Sequence, residues 1–187
     1  VAGMLILLPR LWNVLTDPLV GGISDRVRSP WGRRRPFLLA GAVLLGLGYL
    51  AMFWMPVHWS LAGKAAWFLV ASLVVNSGLS LYHVPYSAMV AEMTRSVHER
   101  VVLVSYKEIA ARVAVLGTVL AFPLVVGAAA TPIVGYRWSG VASGLLILIS
   151  ALVAFFGTAK APAEPFHVES SSWAEQLRTF RANRPLF

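Results

Sequence analysis

In 187 residues this chain is 58% hydrophobic and only 13% charged, with a mean hydropathy of +0.71, whereas a soluble domain runs about half apolar and about a quarter charged. That balance excludes an ordinary soluble globular domain, and the absence of cysteine excludes thiolate catalysis, disulfides and cysteine-ligated metals. The net charge of +8 comes mainly from basic residues between apolar stretches, with none of the common nucleic-acid motifs, so it reads as membrane topology and implies no nucleic-acid partner.

Taken in chain order, the hydropathy predicts an all-α integral membrane protein with five spans, each near or above the roughly 20 residues that cross a bilayer. The first runs from Ala2 to Ile23, followed by a basic loop from Ser24 to Pro36. The second covers Phe37 to Met55, and Pro56 to Lys64 form a short turn. The third, Ala65 to Ala91, is long enough to tilt or to extend beyond the lipid. A charged loop, Glu92 to Leu103, leads to the fourth span at Val104 to Ala130. After a turn at Thr131 to Trp138, the fifth span occupies Ser139 to Gly157.

Arginine and lysine mark the cytoplasmic side. Arg26, Arg28, Arg33, Arg34 and Arg35 fill the first loop, Arg95, Arg100 and Lys107 the third connection, and Lys160, Arg178, Arg181 and Arg184 the tail. The alternate turns offer only Lys64 and Arg137. Three connections are therefore expected inside and two outside, with the first residue outside. An odd number of spans starting outside predicts a further helix before Val1 and a chain that begins partway through a longer protein. In the tail, Trp173, Leu177 and Phe180 recur at helical spacing among prolines and serines, which admits either a short amphipathic helix or a plain linker.

Arg10, Asn13 and Asp17, at spacings of three and four, share one side of the first span. An ionisable group within a span is costly unless it faces a bundle interior or an aqueous cavity, so function is the first reading. Asp17 can carry a proton or ligate a cation, and Asn13 can add a neutral oxygen. Pro18 withdraws a backbone hydrogen bond and can expose carbonyls nearby. The structural alternative is an Arg10–Asp17 pair, or an Arg10 that snorkels to the helix end.

In the third span Asn76, Ser80 and His83 form a second stripe, with Ser77 and Tyr82 beside it and Pro85 just after. These groups suit hydrogen-bonded recognition of a polar solute; adhesion between helices is the competing account. Glu108 and Arg112, four apart in the fourth span, are expected to form an intrahelical ion pair, structural or gating first and solute-contacting second, with Lys107 free to snorkel. Gly41, Gly46, Gly48, Gly117 and Gly127 mark close helix packing. No nucleotide loop, zinc motif or nucleophile motif is present, so the chain does not read as an enzyme and no cofactor is implied.

The run Asp17-Pro18 through Gly21 to Ser24-Asp25-Arg26, followed by Gly32-Arg33-Arg34-Arg35-Pro36-Phe37, closely resembles the loop between the second and third helices of the major facilitator superfamily. Its Asp-Pro start and Gly-Arg-Arg-Arg-Pro end resemble the glycoside–pentoside–hexuronide:cation symporters, with melibiose carriers as relatives, and also the sucrose–proton carriers. Tyr82-His83-Val84-Pro85-Tyr86-Ser87 and Glu99-Arg100 fit the same group.

The resemblance implies a twelve-helix carrier of two six-helix halves working by alternating access. This chain would supply helices two to six. Residues 1–157 would form a partial amino-terminal transmembrane bundle, and 158–187 the cytoplasmic central linker toward the missing carboxy-terminal half. Gly21, Asp25, Arg26, Gly32, Arg33, Arg34 and Arg35 would belong to the cytoplasmic gate, alongside a plain topology-setting role for the arginines. In sodium-coupled melibiose carriers two acidic residues one turn apart hold the cation. Asp17 matches the second, Asn13 stands at the first, and the family's acidic sugar contact falls at His83. These departures leave H+ and Na+ both open as the coupling ion.

The expectation is thus a multi-pass protein of the cell membrane that moves a sugar, glycoside or related polar solute with a proton or sodium ion. Asp17, Asn13 and Arg10 serve coupling; Asn76, Ser80, His83, Glu108 and Arg112 lie along the solute path. A non-transporting membrane fragment or scaffold, and a facilitated uniporter, are the alternatives.

Overall fold

Three helices of this chain begin at a side-chain cap, several residues before their hydrophobic runs do. The computed structural model describes residues 2–27, 29–94 and 96–158, and among them five helices: α1 (Ala2–Arg26), α2 (Arg35–Phe53), α3 (Leu61–Glu92), α4 (Val97–Ala128) and α5 (Pro132–Gly157). Arg28, Arg95 and the linker expected beyond Thr158, with its Trp173, Leu177 and Phe180 stripe, lie outside the described residues.

The α3 helix starts at Leu61 because the Ser60 hydroxyl accepts from the Gly63 N–H at 3.2 Å. The α4 helix starts at Val97, with Ser96 accepting from Glu99 N–H at 3.4 Å in a Ser-x-x-Glu setting. Thr131 does the same for Val134 at the head of α5, where Pro132 occupies a position whose N–H would be unpaired anyway. Hydropathy marks where hydrocarbon ends; capping marks where the helix ends. The connections expected at 56–64, 92–103 and 131–138 shorten accordingly. Pro18 and Pro85 do not interrupt α1 or α3, although each removes one backbone hydrogen bond.

By length and composition α2, α3, α4 and α5 can each cross a membrane. At 32 residues, α3 and α4 extend about 48 Å, well beyond a hydrocarbon core of roughly 30 Å. The α1 helix is long enough but less apolar, because it carries Arg10, Asn13 and Asp17.

The centre of the bundle is α2, packed against α3 on one side and α5 on the other. The α1 helix packs chiefly on α3, and α4 on α5. Close approach of α2 and α3 depends on Gly41 meeting Gly78. A methyl group on Gly41 would stand 2.7 Å from the Tyr82 amide nitrogen and 2.9 Å from the Gly78 carbonyl oxygen. Rings of Phe53, Phe122 and Tyr136, 5.6 and 5.9 Å apart in succession, tie α4 to α2 and α5. At the opposite end the first loop, the α3 C-terminus and the α5 C-terminus meet: Arg33 reaches Glu92, and Arg35 donates to the Phe155 carbonyl. The arginine-rich loops thus gather at one end, as the charge pattern predicts.

Candidate functional site

The two polar stripes face each other. Asn13 Nδ2 donates to Asn76 Oδ1 at 3.0 Å, and Ser80 Oγ donates to Asp17 Oδ1 at 2.5 Å. Thr16 Oγ1 lies 3.0 Å from the same Ser80 hydroxyl, and Trp12 Nε1 donates to Ser77 Oγ at 2.8 Å. This seam joins α1 to α3 through most of the polar groups on their shared faces.

Its amide orientations are fixed by logic internal to the network. Asn76 Nδ2 donates to the Ser72 carbonyl at 2.8 Å, so its oxygen turns to Asn13, which must present its nitrogen. That leaves Asn13 Oδ1 buried without a hydrogen-bond partner among the described residues. One turn away, Asp17 uses a single oxygen on Ser80 and remains uncovered on its other side. Above these groups a groove of about 380 Å³ is lined by Arg10, Asn13, Ser72 and Asn76 on its polar wall and by Leu5, Ile6, Phe68 and Leu79 on its apolar one.

Arg10 and Asp17 form no salt bridge among the described residues. Seven positions separate them, about 10 Å of helix rise. His83 is exposed and unbonded among the described residues. Glu108 pairs with Arg112 and with Lys107, each at 3.6 Å, on a helix with no buried residue and no hydrogen bond to the seam.

A second cluster lies at the basic end. Arg34, with only 9% of its side chain exposed, donates to Asp25 Oδ1 at 2.7 Å and pairs with Glu92 Oε1 at 3.0 Å. Arg33 reaches the same Glu92 oxygen at 2.8 Å. Arg35 turns the other way: it donates to the carbonyls of Trp31 and Phe155 and sits 4.4 Å over the Phe155 ring. Gly32, at φ +95°, supplies the left-handed turn that lets the three arginines follow the loop. A methyl group added to Gly21 would meet Val84 at ordinary van der Waals distance, and Arg26 is exposed and unpaired among the described residues.

Sequence reasoning misses Trp12 and Thr16 in the seam and Glu92 in the cluster. A signal exists for Glu92: it is the acid that ends α3 on the same side as the arginine loop. Among the described residues no three His, Cys, Asp or Glu side chains gather as a metal site.

Long apolar helices around an internal polar seam, with arginines gathered at one end, define a multi-pass membrane protein. Residues 1–187 match the profile of the family described as MFS/sugar transport protein, and the chain belongs to that family, whose members are transporters and not enzymes.

Its relatives include the glucuronide carrier protein homolog of Escherichia coli (strain K12), 28% identical over 100% of this chain. A putative glycoside/cation symporter of the same organism is 31% identical over 98% of this chain. The sodium-dependent lysophosphatidylcholine symporter 1 of Homo sapiens is 31% identical over 70% of it. The alignments cover 41%, 40% and 24% of those proteins, so the chain spans about two fifths or less of their length. The likeness read from the run between Asp17 and Phe37 holds for the superfamily and its glycoside/cation symporter-like branch.

Proposed function

We propose that the full-length protein is a secondary transporter that moves a sugar, glycoside or related polar solute together with a proton or sodium ion, and that this chain is part of its amino-terminal half. The observation that carries the reading is the pair of uncommitted oxygens one turn apart on α1: the buried, unpartnered Asn13 Oδ1 and the uncovered side of the Asp17 carboxylate. A carboxylate in a lipid-spanning helix is retained where it binds or relays a cation. Arg10, on the same side of α1, biases the charge of the groove; Asn76 and Ser80 hold the coupling residues in place and border the solute path. His83 extends that path along α3. The apolar wall of Leu5, Ile6, Phe68 and Leu79 favours a glycoside with an apolar substituent over a bare polyol.

In this reading the arginine cluster is the cytoplasmic gate, with Arg34 as its centre, and Glu108 and Arg112 meet the other half of the carrier. The test is uptake of a sugar and glycoside panel into vesicles containing the full-length protein, under imposed sodium or proton gradients, beside Asp17→Asn. Accumulation driven by one gradient and lost in the variant is the expected result and identifies the ion. Equal downhill uptake by both proteins would make it a uniporter and remove Asp17 from coupling.

A further inference from the structure

The first turns of α4 carry uncovered apolar side chains at the edge of the membrane. Val97 is 75% exposed, Val101 58%, Val102 38% and Leu103 36%. His98, Glu99 and Arg100 lie among them, so this end of α4 stands at the water boundary. A helix of about 48 Å overruns a hydrocarbon core of roughly 30 Å, and these turns belong to the excess. Beside them is a cavity of about 300 Å³. Met93, Val102 and Leu103 supply its apolar lining, and Thr94, His98 and Glu99 its polar lining. Neither the seam nor the charged cluster uses any of these six residues.

The cavity lies at the end of the bundle from which the chain continues after α5. Arg35 sits over the Phe155 ring near the end of α5, and Arg33 in the same loop holds Glu92, the residue before Met93. Fifteen residues lead from Thr158 to Trp173, enough to span up to about 50 Å. The tail itself lies outside the described residues. In its sequence Trp173, Leu177 and Phe180 recur at helical spacing; on a helix Arg181 falls beside that stripe and Glu175 opposite it.

We infer that the Trp173, Leu177 and Phe180 stripe seats on this cavity as an intramolecular latch, with Arg181 turned toward the exposed Glu99 carboxylate. Seating removes the uncovered valine and leucine surface from water, and the short tether holds the segment at high effective concentration. A phosphate-bearing lipid is the poorer occupant, because Glu99 repels it. The latch ties the connection between α3 and α4 to the chain leaving α5. It does not depend on which solute or ion the protein moves.

The experiment uses the full-length protein in vesicles. Residues 1–187 contain no cysteine, and any cysteine elsewhere is changed to serine. Two pairs are compared with a short bis-thiol cross-linker: Val102→Cys with Leu177→Cys, and Val102→Cys with Glu175→Cys. Both pairs share one tether and differ in the face presented. The Leu177 pair should cross-link at least about tenfold faster. Val102 is 38% exposed, so its substitution leaves the fold intact.

Equal rates for the two pairs would mean that the tail passes the cavity without seating, and would overturn the inference. A nitroxide on Leu177→Cys gives an independent reading. Seated on the cavity, it is shielded from both oxygen dissolved in lipid and a nickel chelate in water. Oxygen contact at the level of a lipid-facing site would put the stripe on the membrane surface instead, and would overturn the inference as well.

Discussion

Arg34 is the guanidinium that touches both Asp25 and Glu92, and Arg34→Ala removes it from a site where it is 9% exposed. Taking one partner from a fully buried pair costs about 3–5 kcal/mol, but here the two acids differ. Asp25 is 55% exposed, so solvent screens its share down to roughly 0–1 kcal/mol. Glu92 is 14% exposed and keeps Arg33 at 2.8 Å, so it is left half-paired and not orphaned. The expected loss is about 2 kcal/mol.

Arg33→Ala, which removes a 42% exposed side chain and leaves Arg34 on Glu92, should cost no more than about 1 kcal/mol. Arg34→Lys should fall between them: both carboxylates are reached through the single Nη2, a contact an ammonium can imitate in charge but not in the planar geometry and reach that set it. The assay is reversible unfolding of the full-length protein in mixed micelles titrated with a denaturing detergent. An Arg33→Ala loss equal to or larger than that of Arg34→Ala would refute the assignment of Arg34 as the centre of the cluster.

Four further outcomes follow from the packing and can be read by the same unfolding titration. Gly41→Ala places a methyl group 2.7 Å from the Tyr82 amide nitrogen, against backbone that cannot rotate away, and should cost about 3 kcal/mol; Gly117→Ala, with nothing within 4 Å, should be neutral or stabilising by up to about 1 kcal/mol. Asn13→Asp replaces the amide donor that Asn76 Oδ1 accepts with a second acceptor, for a loss of about 1–3 kcal/mol. Arg35→Lys gives up one of two carbonyl bonds and the planar stack on Phe155, for about 1 kcal/mol.

Each polar stripe is legible in the sequence, because residues three and four apart must share a helix face. That the stripes meet is not, since Asn13 and Asn76 are 63 residues apart and on helices that are not consecutive in the chain. Hydropathy gives the identity of every helix and misplaces the starts of α3, α4 and α5, because Ser60, Ser96 and Thr131 cap them outside the apolar stretch. The three consecutive arginines read as one unit in sequence. In three dimensions Arg33 and Arg34 serve α1 and α3 while Arg35 pins the end of α5, a division set by tertiary packing. Thr16 and Trp12 escape notice because threonine and tryptophan are ordinary residues of an apolar span, although both make interhelical or local polar bonds.

The two contacts of α3 differ in kind. Against α2 it is held by backbone approach at Gly41 and Gly78, where an added methyl group would stand 2.7 Å from backbone of the facing helix. Against α1 it is held by side chains: Trp12 to Ser77, Asn13 to Asn76, Thr16 and Asp17 to Ser80, and at the basic end Asp25 and Glu92 through Arg34. Interhelical hydrogen bonds in membranes average roughly 0.6 kcal/mol, so the four in the seam amount to only about 2–3 kcal/mol.

On the proposed coupling role of Asp17 and Asn13, that is small enough for a bound cation or solute to offset by competing for them. Asp25 follows Asp17 by eight residues, about 12 Å along the same α1 helix. On the proposed coupling role, a ligand that loosened the seam would act on the same helix that carries the acid of the charged cluster. The α2–α3 contact, closed at Gly41 and Gly78, would give such a movement a fixed wall to work against.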